Sequence, residues 1–379
     1  MSGTDDTGAP AAPAPAPAPA PAGTAPRTRT RPPNGAGPPP ERVEEHGGGD
    51  VRTGRRIRQV RELGILLALV LLVAVTALAS PGFLSGQSVR DLLLGATLLT
   101  ILAVGQSMVL ITRNVDLSVG SVMGLSAFAV GLLFVSFPGL PTPVVMLAGV
   151  LVGTACGVVN GVLVAAARVP ALVVTLGTLY MFRGIDFWWA SGRQVNAADM
   201  PEGFLGLARI SLLGIPLPAA IAAAVVLAAG WYLRNYRSGR ELYAVGSEPA
   251  AARLVGIPVD RRVFAPFVVN GSLAGLAGVL YAARFGTLDA TVGTGLELEV
   301  VAAAVVGGVA IFGGSGTVYG AALGALLLSA IDAALPMLRV DSFWQQAVVG
   351  LLILISIGLD RLLALRTARR LRGGGSRGA

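Results

Sequence analysis

The chain has 379 residues, of which 54% are hydrophobic and 13% charged, with a formal net charge of +8. An apolar excess of that size is more than a water-soluble domain needs and points to lipid as the main solvent. All 29 basic residues are arginine, and His46 and Cys156 are the only histidine and cysteine. This excludes a phosphate-binding P-loop lysine, an intramolecular disulfide and a His/Cys metal site within one chain. No nucleophile stands beside a base, so neither catalytic residues nor a resident cofactor is expected, and any ATP hydrolysis belongs to another chain. The arginines cluster beside hydrophobic runs, as membrane topology demands, which argues against nucleic-acid binding.

Residues 1–60 are low-complexity, with Ala-Pro alternation from Ala9 to Ala22, prolines at Pro38 to Pro40 and glycines at Gly47 to Gly49. Too little apolar mass is present to fold, so this segment reads as a disordered cytoplasmic tail, and it has no apolar h-region of a signal peptide. Residues 61–362 then form an all-α membrane domain, and residues 363–379 a basic cytoplasmic tail. Ten spans are expected at about 63–80, 91–111, 117–137, 143–166, 170–190, 211–233, 263–285, 296–312, 317–337 and 343–360. The eighth is the shortest and leads into Gly313-Gly-Ser-Gly316, so the eighth and ninth either span or are broken, re-entrant helices. The fifth carries Arg183 and Asp186, three residues apart, which can pair because a lone charge in a bilayer is costly.

Arginine placement sets the orientation. The connections holding Arg113, Arg168, the group from Arg234 to Arg262 and the tail from Arg361 to Arg377 fall on one side, against Arg90, Arg193, Arg209, Arg284 and Arg339 on the other. The positive-inside rule makes the first side cytoplasmic and gives an even number of spans with both termini inside. Three glycine series, Gly153/Gly157/Gly161, Gly271/Gly275 and Gly320/Gly324, each put small residues on one helical face and permit close helix approach.

Several polar residues lie within or beside apolar runs. Asp116, followed by Ser118, sits where the second span turns into the third, and either caps the turn or meets a solute. Asn160, Thr175, Thr178 and Asn270 supply donors and acceptors that suit either interhelical hydrogen bonds or sugar hydroxyls. Glu297 and Glu299 fall at the outer start of the eighth span. In the loop from Arg234 to Arg262, Glu248 to Leu254 reads as a short helix capped by Ser247, opened by Pro249 and ended by Gly256. It is either a plain connector or a docking element whose contact residues are Glu248, Ala250, Ala251, Ala252, Arg253 and Gly256.

Six blocks in order carry a family resemblance: Leu110-Ile-Thr-Arg-Asn-Val-Asp-Leu-Ser-Val-Gly-Ser121, Val158 to Val164, Val169 to Thr178 with Arg183-Gly184, Gly239 to Gly246 with Ala250 to Gly256, Gly295 to Glu299, and Val306-Gly-Gly308 with Gly313 to Gly316. Over residues 63–360 the chain resembles permeases of ribose, xylose, rhamnose and autoinducer-2 type ABC importers, relatives of branched-chain amino-acid permeases, and looks closest to the rhamnose and autoinducer-2 group. The resemblance implies a type II importer fold of about ten helices and a second permease subunit, identical or different. It also implies a cytoplasmic ABC ATPase that binds the ATP, an extracellular or periplasmic solute-binding protein, and a coupling role for the Glu248–Gly256 helix. The alternatives are a branched-chain amino-acid permease or an ion-coupled secondary transporter, for which Asp332, in the ninth span, is the one candidate carboxylate.

Overall fold

A computed structural model describes residues 48–358, apart from 342, 345, 349, 353, 356 and 357. Residues 1–47 and 359–379, and with them most of the expected N-terminal tail and all of the C-terminal one, lie outside the described residues. The first helix, α1 (Gly48–Ala79), starts well before the expected span at residue 63. No proline stands between Pro40 and Pro81, and arginine is a good helix former, so nothing in residues 48–62 stops a helix.

A 3₁₀ turn at Pro81–Leu84 leads into α2 (Gly86–Ile111), and α3 (Val119–Ser136) follows an irregular linker. Next come α4 (Thr142–Gly161), which runs on into a π-helical turn at Val162–Ala166, and α5 (Ala171–Ala190). A short α6 (Glu202–Gly206) and a two-stranded hairpin, β1 (Ser211–Leu212) with β2 (Ile215–Pro216), precede α7 (Leu217–Asn235). The arginine-rich loop is itself helical: α8 (Arg237–Ser247) and α9 (Pro249–Leu254) stand before α10 (Val259–Phe285). The described part closes with α11 (Leu296–Val306), α12 (Val318–Met337) and helical residues from Trp344 onward.

Seven of these helices are long and apolar enough to cross a bilayer: the Glu62–Ala79 part of α1, then α2, α3, α4 with its π turn, α7, α10 and α12. The fifth expected span is the 20-residue α5, interrupted by Arg183 and Asp186. The eighth is α11, whose 11 residues reach only about 16 Å, roughly half a hydrocarbon core. It is therefore the broken kind of helix, closed by Gly307 and Gly308.

The core is built from α2, α3, α10, α11 and α12, with side chains such as Ile101, Leu102, Met123, Phe128 and Leu328 fully buried. Around it α1 and α5 keep most of their apolar side chains exposed, as helices facing lipid or another subunit do, and α7 keeps most of its own half-buried. The glycine series decide which helices touch. A Cβ on Gly153 would stand 2.3 Å from the Gly271 carbonyl oxygen, and one on Gly324 would stand 2.1 Å from the Ala303 carbonyl oxygen. Hence α4 packs backbone to backbone on α10, and α11 on α12, the close approach that small residues allow in membranes.

Gly153→Val should therefore destabilise the α4–α10 pair by about 1–3 kcal/mol or more, because the atoms it meets are backbone and cannot rotate away. Gly177→Val, at an open position on α5, should be near neutral. Thermal unfolding of both variants in one detergent checks the difference, and equal midpoints would refute this packing.

Candidate functional site

The connection after α10 does not stay at the membrane surface. Gly286, in the left-handed conformation with φ 65°, ends α10, and Leu288 then exchanges both backbone hydrogen bonds with Val195 at 2.9 Å. From there the chain descends along α3. Leu288 packs against Gly131, the Val292 carbonyl against Gly124, and the Gly293 carbonyl against Gly120, in each case where a Cβ would otherwise stand. Gly120, Gly124 and Gly131 lie on one helical face, so the connection follows a glycine-lined groove for about 16 Å, eleven residues of α3.

This course relocates Glu297. Expected at the outer surface, it lies instead beside the first turn of α3, with a carboxylate oxygen 2.6 Å from the Cβ position of Gly120. The positive end of a helix suits a carboxylate there. Arg183 is relocated in function as well. Its Nη1 donates to the Ala290 carbonyl at 3.1 Å and the Val292 carbonyl at 2.6 Å, pinning the descending connection to α5. The expected Arg183–Asp186 pair does not form, because the guanidinium is committed to those carbonyls, and the buried Asp186 carboxylate accepts no hydrogen bond from the described residues.

Beside this descent sits a closed polar network around Asp116, in the linker between α2 and α3. Asp116 Oδ1 accepts from the Ser118 amide at 2.9 Å and the Ser118 hydroxyl at 2.7 Å, which secures the start of α3. Asn160 of α4 donates to the Ser118 Oγ at 2.8 Å, and Asn270 of α10 donates to Asp116 Oδ2 at 3.0 Å. The Gln106 amide, turned to match both groups, donates to the Asp116 carbonyl at 3.1 Å and accepts from its N–H at 3.2 Å. Asn270 lies eleven residues into α10, about 16 Å along it, which puts the network near mid-membrane.

Asp116, Ser118, Asn160 and Asn270 are thus brought together, all at most 2% exposed. Thr175 joins them through a 3.3 Å bond from its Oγ1 to the Val115 carbonyl, whereas Thr178 bonds only within its own helix. Glu297 is on the far side of the α3 start. Among the described residues no cluster of three or more His, Cys, Asp or Glu could hold a metal. The arrangement offers hydrogen-bond donors and acceptors and no reactive group. Thr291 and Thr294, exposed on the descending connection, were not singled out from sequence. The signal for them was the run Gly286, Gly293 and Gly295, dense enough in glycine to mark an irregular backbone rather than a surface loop.

At the arginine-rich face, α9 is opened by Glu248 as its N-terminal cap residue, not Ser247, which ends α8. Gly256, with φ 80°, stops it as expected. Glu248, Ala250, Ala251, Arg253 and Gly256 are exposed, but Ala252 turns inward, 4% exposed and packed with Val245 and Val259. A six-residue helix has only one outward face, and four alanines-and-arginine positions cannot all share it. Leu254 and Val255, 89% and 74% exposed, are the apolar residues that face presents.

The end of α8, just before α9, touches the end of α2, where the Asp116 linker begins. A Cβ on Gly246 of α8 would stand 1.7 Å from the Ile111 carbonyl oxygen, which also accepts from the Gly314 amide at 3.0 Å. Arg113, two residues beyond Ile111, holds φ 67°. Nearby, Glu241 accepts from the Nε of Arg262 at 2.6 Å and of Arg237 at 2.8 Å, and these guanidinium groups hold its carboxyl below the usual carboxylate range.

Comparison with known proteins agrees with this architecture. A family profile described as "Branched-chain amino acid transport system / permease component" matches residues 88–357. The "Autoinducer 2 import system permease protein LsrC" of Enterobacter sp. (strain 638) is 38% identical over 313 residues, covering 82% of this chain and 90% of the relative. The protein of the same name from Klebsiella pneumoniae subsp. pneumoniae is 37% identical over 312 residues, with 82% and 90% covered. Its counterpart from Escherichia coli K12 is 36% identical over 316 residues, with 83% and 91% covered. No solved structure matches the chain. The broken α11, the arginine-rich helical loop and the extent of these similarities lead to one conclusion: the chain is a multi-pass membrane permease of the branched-chain amino acid transport system / permease component family.

Proposed function

We propose that the chain forms the translocation path of an ATP-binding cassette importer for autoinducer-2 or a similar sugar-like solute. It would work with a cytoplasmic ATPase, an external solute-binding protein and a second permease subunit, in a bacterial plasma membrane with both termini inside. The observation that supports this reading is the backbone contact of Gly246, in the last turn of α8 just before the exposed α9, with the Ile111 carbonyl at the end of α2, from which the Asp116 linker starts. A docking event at α9 has no flexible side chain to absorb it before it reaches the polar centre.

In this conformation the Asp116 network is closed, so its role is to hold the break between α2 and α3. Direct solute contact falls to Thr291, Thr294 and Glu297, whose segment is partly exposed at membrane depth. Hydroxyl and carboxylate groups there suit a polyhydroxylated solute better than an aliphatic side chain, which favours the sugar-like reading over an amino acid. The path would run between this segment and the partner permease, and Glu248, Ala250, Ala251, Arg253 and Leu254 would meet the ATPase.

Reconstitution with the ATPase and binding protein, followed by uptake of labelled autoinducer-2, rhamnose and leucine, tests the assignment. ATP-dependent leucine uptake in place of the other two would reject the sugar-like reading. Leu254→Asp should cut uptake at least tenfold at unchanged permease level, because it puts a charge into an apolar docking contact. Ala252→Asp should lower the amount of folded permease instead. Normal uptake in Leu254→Asp would remove α9 from coupling.

Orientation has its own check. Cys156 is buried, so engineered cysteines can be read against a low background. Leu213→Cys in the β1–β2 hairpin should react with an impermeant reagent from outside intact cells, and Leu254→Cys only after lysis. The reverse pattern would invert the topology.

A further inference from the structure

A cavity lies in the cleft between α7 and α10. Its volume is about 300 Å³, and its walls include Val225, Ala229, Ala265, Val269 and Leu273, with Tyr232 and Arg262 at one end. Three observations say what fills it. First, its surface is almost entirely apolar and opens on the periphery of the bundle, where an empty slot would forfeit dispersion contacts that hydrocarbon can supply.

Second, its length matches one leaflet. From Arg262 to Leu273 along α10 is about 16 Å, against a leaflet hydrocarbon depth of about 15 Å. The wide end is marked as the membrane interface by Trp231, Tyr232 and Tyr236, whose rings pack together at 5.1 and 5.6 Å. Third, the rim is cationic. Arg237 and Arg262 share the single carboxylate of Glu241, so the triad keeps one net positive charge, and the Arg237 side chain is 84% exposed.

We propose that this cleft binds one acyl chain of an anionic phospholipid, whose phosphate is met at the rim by Arg237 and Arg262. Basic pockets between transmembrane helices at an interface are suited to such headgroups, and an arginine fork to phosphate oxygens. The small side chains of Ala229 and Ala265 leave the slot open. The site shares no residue with α9 or the Asp116 network, and it does not depend on which solute the permease carries.

The test uses the full-length permease in detergent, examined by native mass spectrometry with added phosphatidylglycerol or phosphatidylcholine. The wild type should retain one phosphatidylglycerol, at least fivefold more than phosphatidylcholine, and millimolar inorganic phosphate should not displace it. Ala265→Leu, which fills the slot, should lower retention at least fivefold, whereas Ala224→Leu on the exposed side of α7 should not. Arg237→Gln should erase the preference between the two lipids without altering the fold, and it carries the test if Ala265→Leu proves unstable. Equal retention in the wild type and Ala265→Leu, or no lipid preference in the wild type, would overturn the proposal.

Discussion

Hydrocarbon offers no partner to a peptide group, so every departure from helix at membrane depth has to be covered by protein. Among the described residues the chain departs in the linker from Thr112 to Ser118 and in the descent from Gly286 to Gly295, and both departures meet at the start of α3. The descent is covered because α3 lacks side chains along one face, and because Arg183 supplies donors for two carbonyls that no helix satisfies. Remove either provision and the connection has nowhere to lie, α11 loses its starting depth, and the α11–α12 pair loses its register.

The linker is covered differently, by side chains. Asp116 spends both oxygens on internal donors, and its backbone N–H and carbonyl on Gln106. Three elements supply these partners, α2, α10 and the start of α3, and Asn160 of α4 holds Ser118 from the other side of its hydroxyl. A carboxylate so fully engaged contributes to the shape of the break more than to chemistry, since each partner lost would leave a buried polar group unsatisfied at a cost of about 1–3 kcal/mol. The open polar groups belong to the other departure, the one that leaves Thr291, Thr294 and part of Glu297 uncovered.

Helix identity was legible from hydropathy, and the existence of close-packing faces from glycine spacing, because both are local and periodic; which helix meets which was not. The runs around α2, α3, α4, α7, α10 and α12 announce themselves, and the series at Gly153 and at Gly271 each mark a face that the structure then brings together. Depth was not legible. Glu297 was assigned to the surface because a charged residue after a glycine-rich turn ordinarily stays near water; what carried it inward is the groove on α3, a feature of a sequence segment some 170 residues away. The fate of Arg183 was hidden for the same reason, since the carbonyls that claim it become neighbours only on folding. On α9 the inward residue was not legible: alanines look alike in sequence, and only packing against Val245 and Val259 separates Ala252 from Ala251.

The descent along α3 also has a mechanical reading. One uninterrupted stretch of chain begins at the Val195–Leu288 bridge, passes the start of α3, forms α11, and arrives at Gly314 and Gly316, which are bonded to Ile111 and to the Tyr243 hydroxyl. Opposite faces of the protein are usually linked by whole spanning helices, stiff along their axes but insulated from each other by side-chain packing. Here a single strand of covalent bonds, a bridge and turns first and α11 after them, joins the two faces and passes the start of α3 on the way, so a displacement imposed at either end is carried along one backbone.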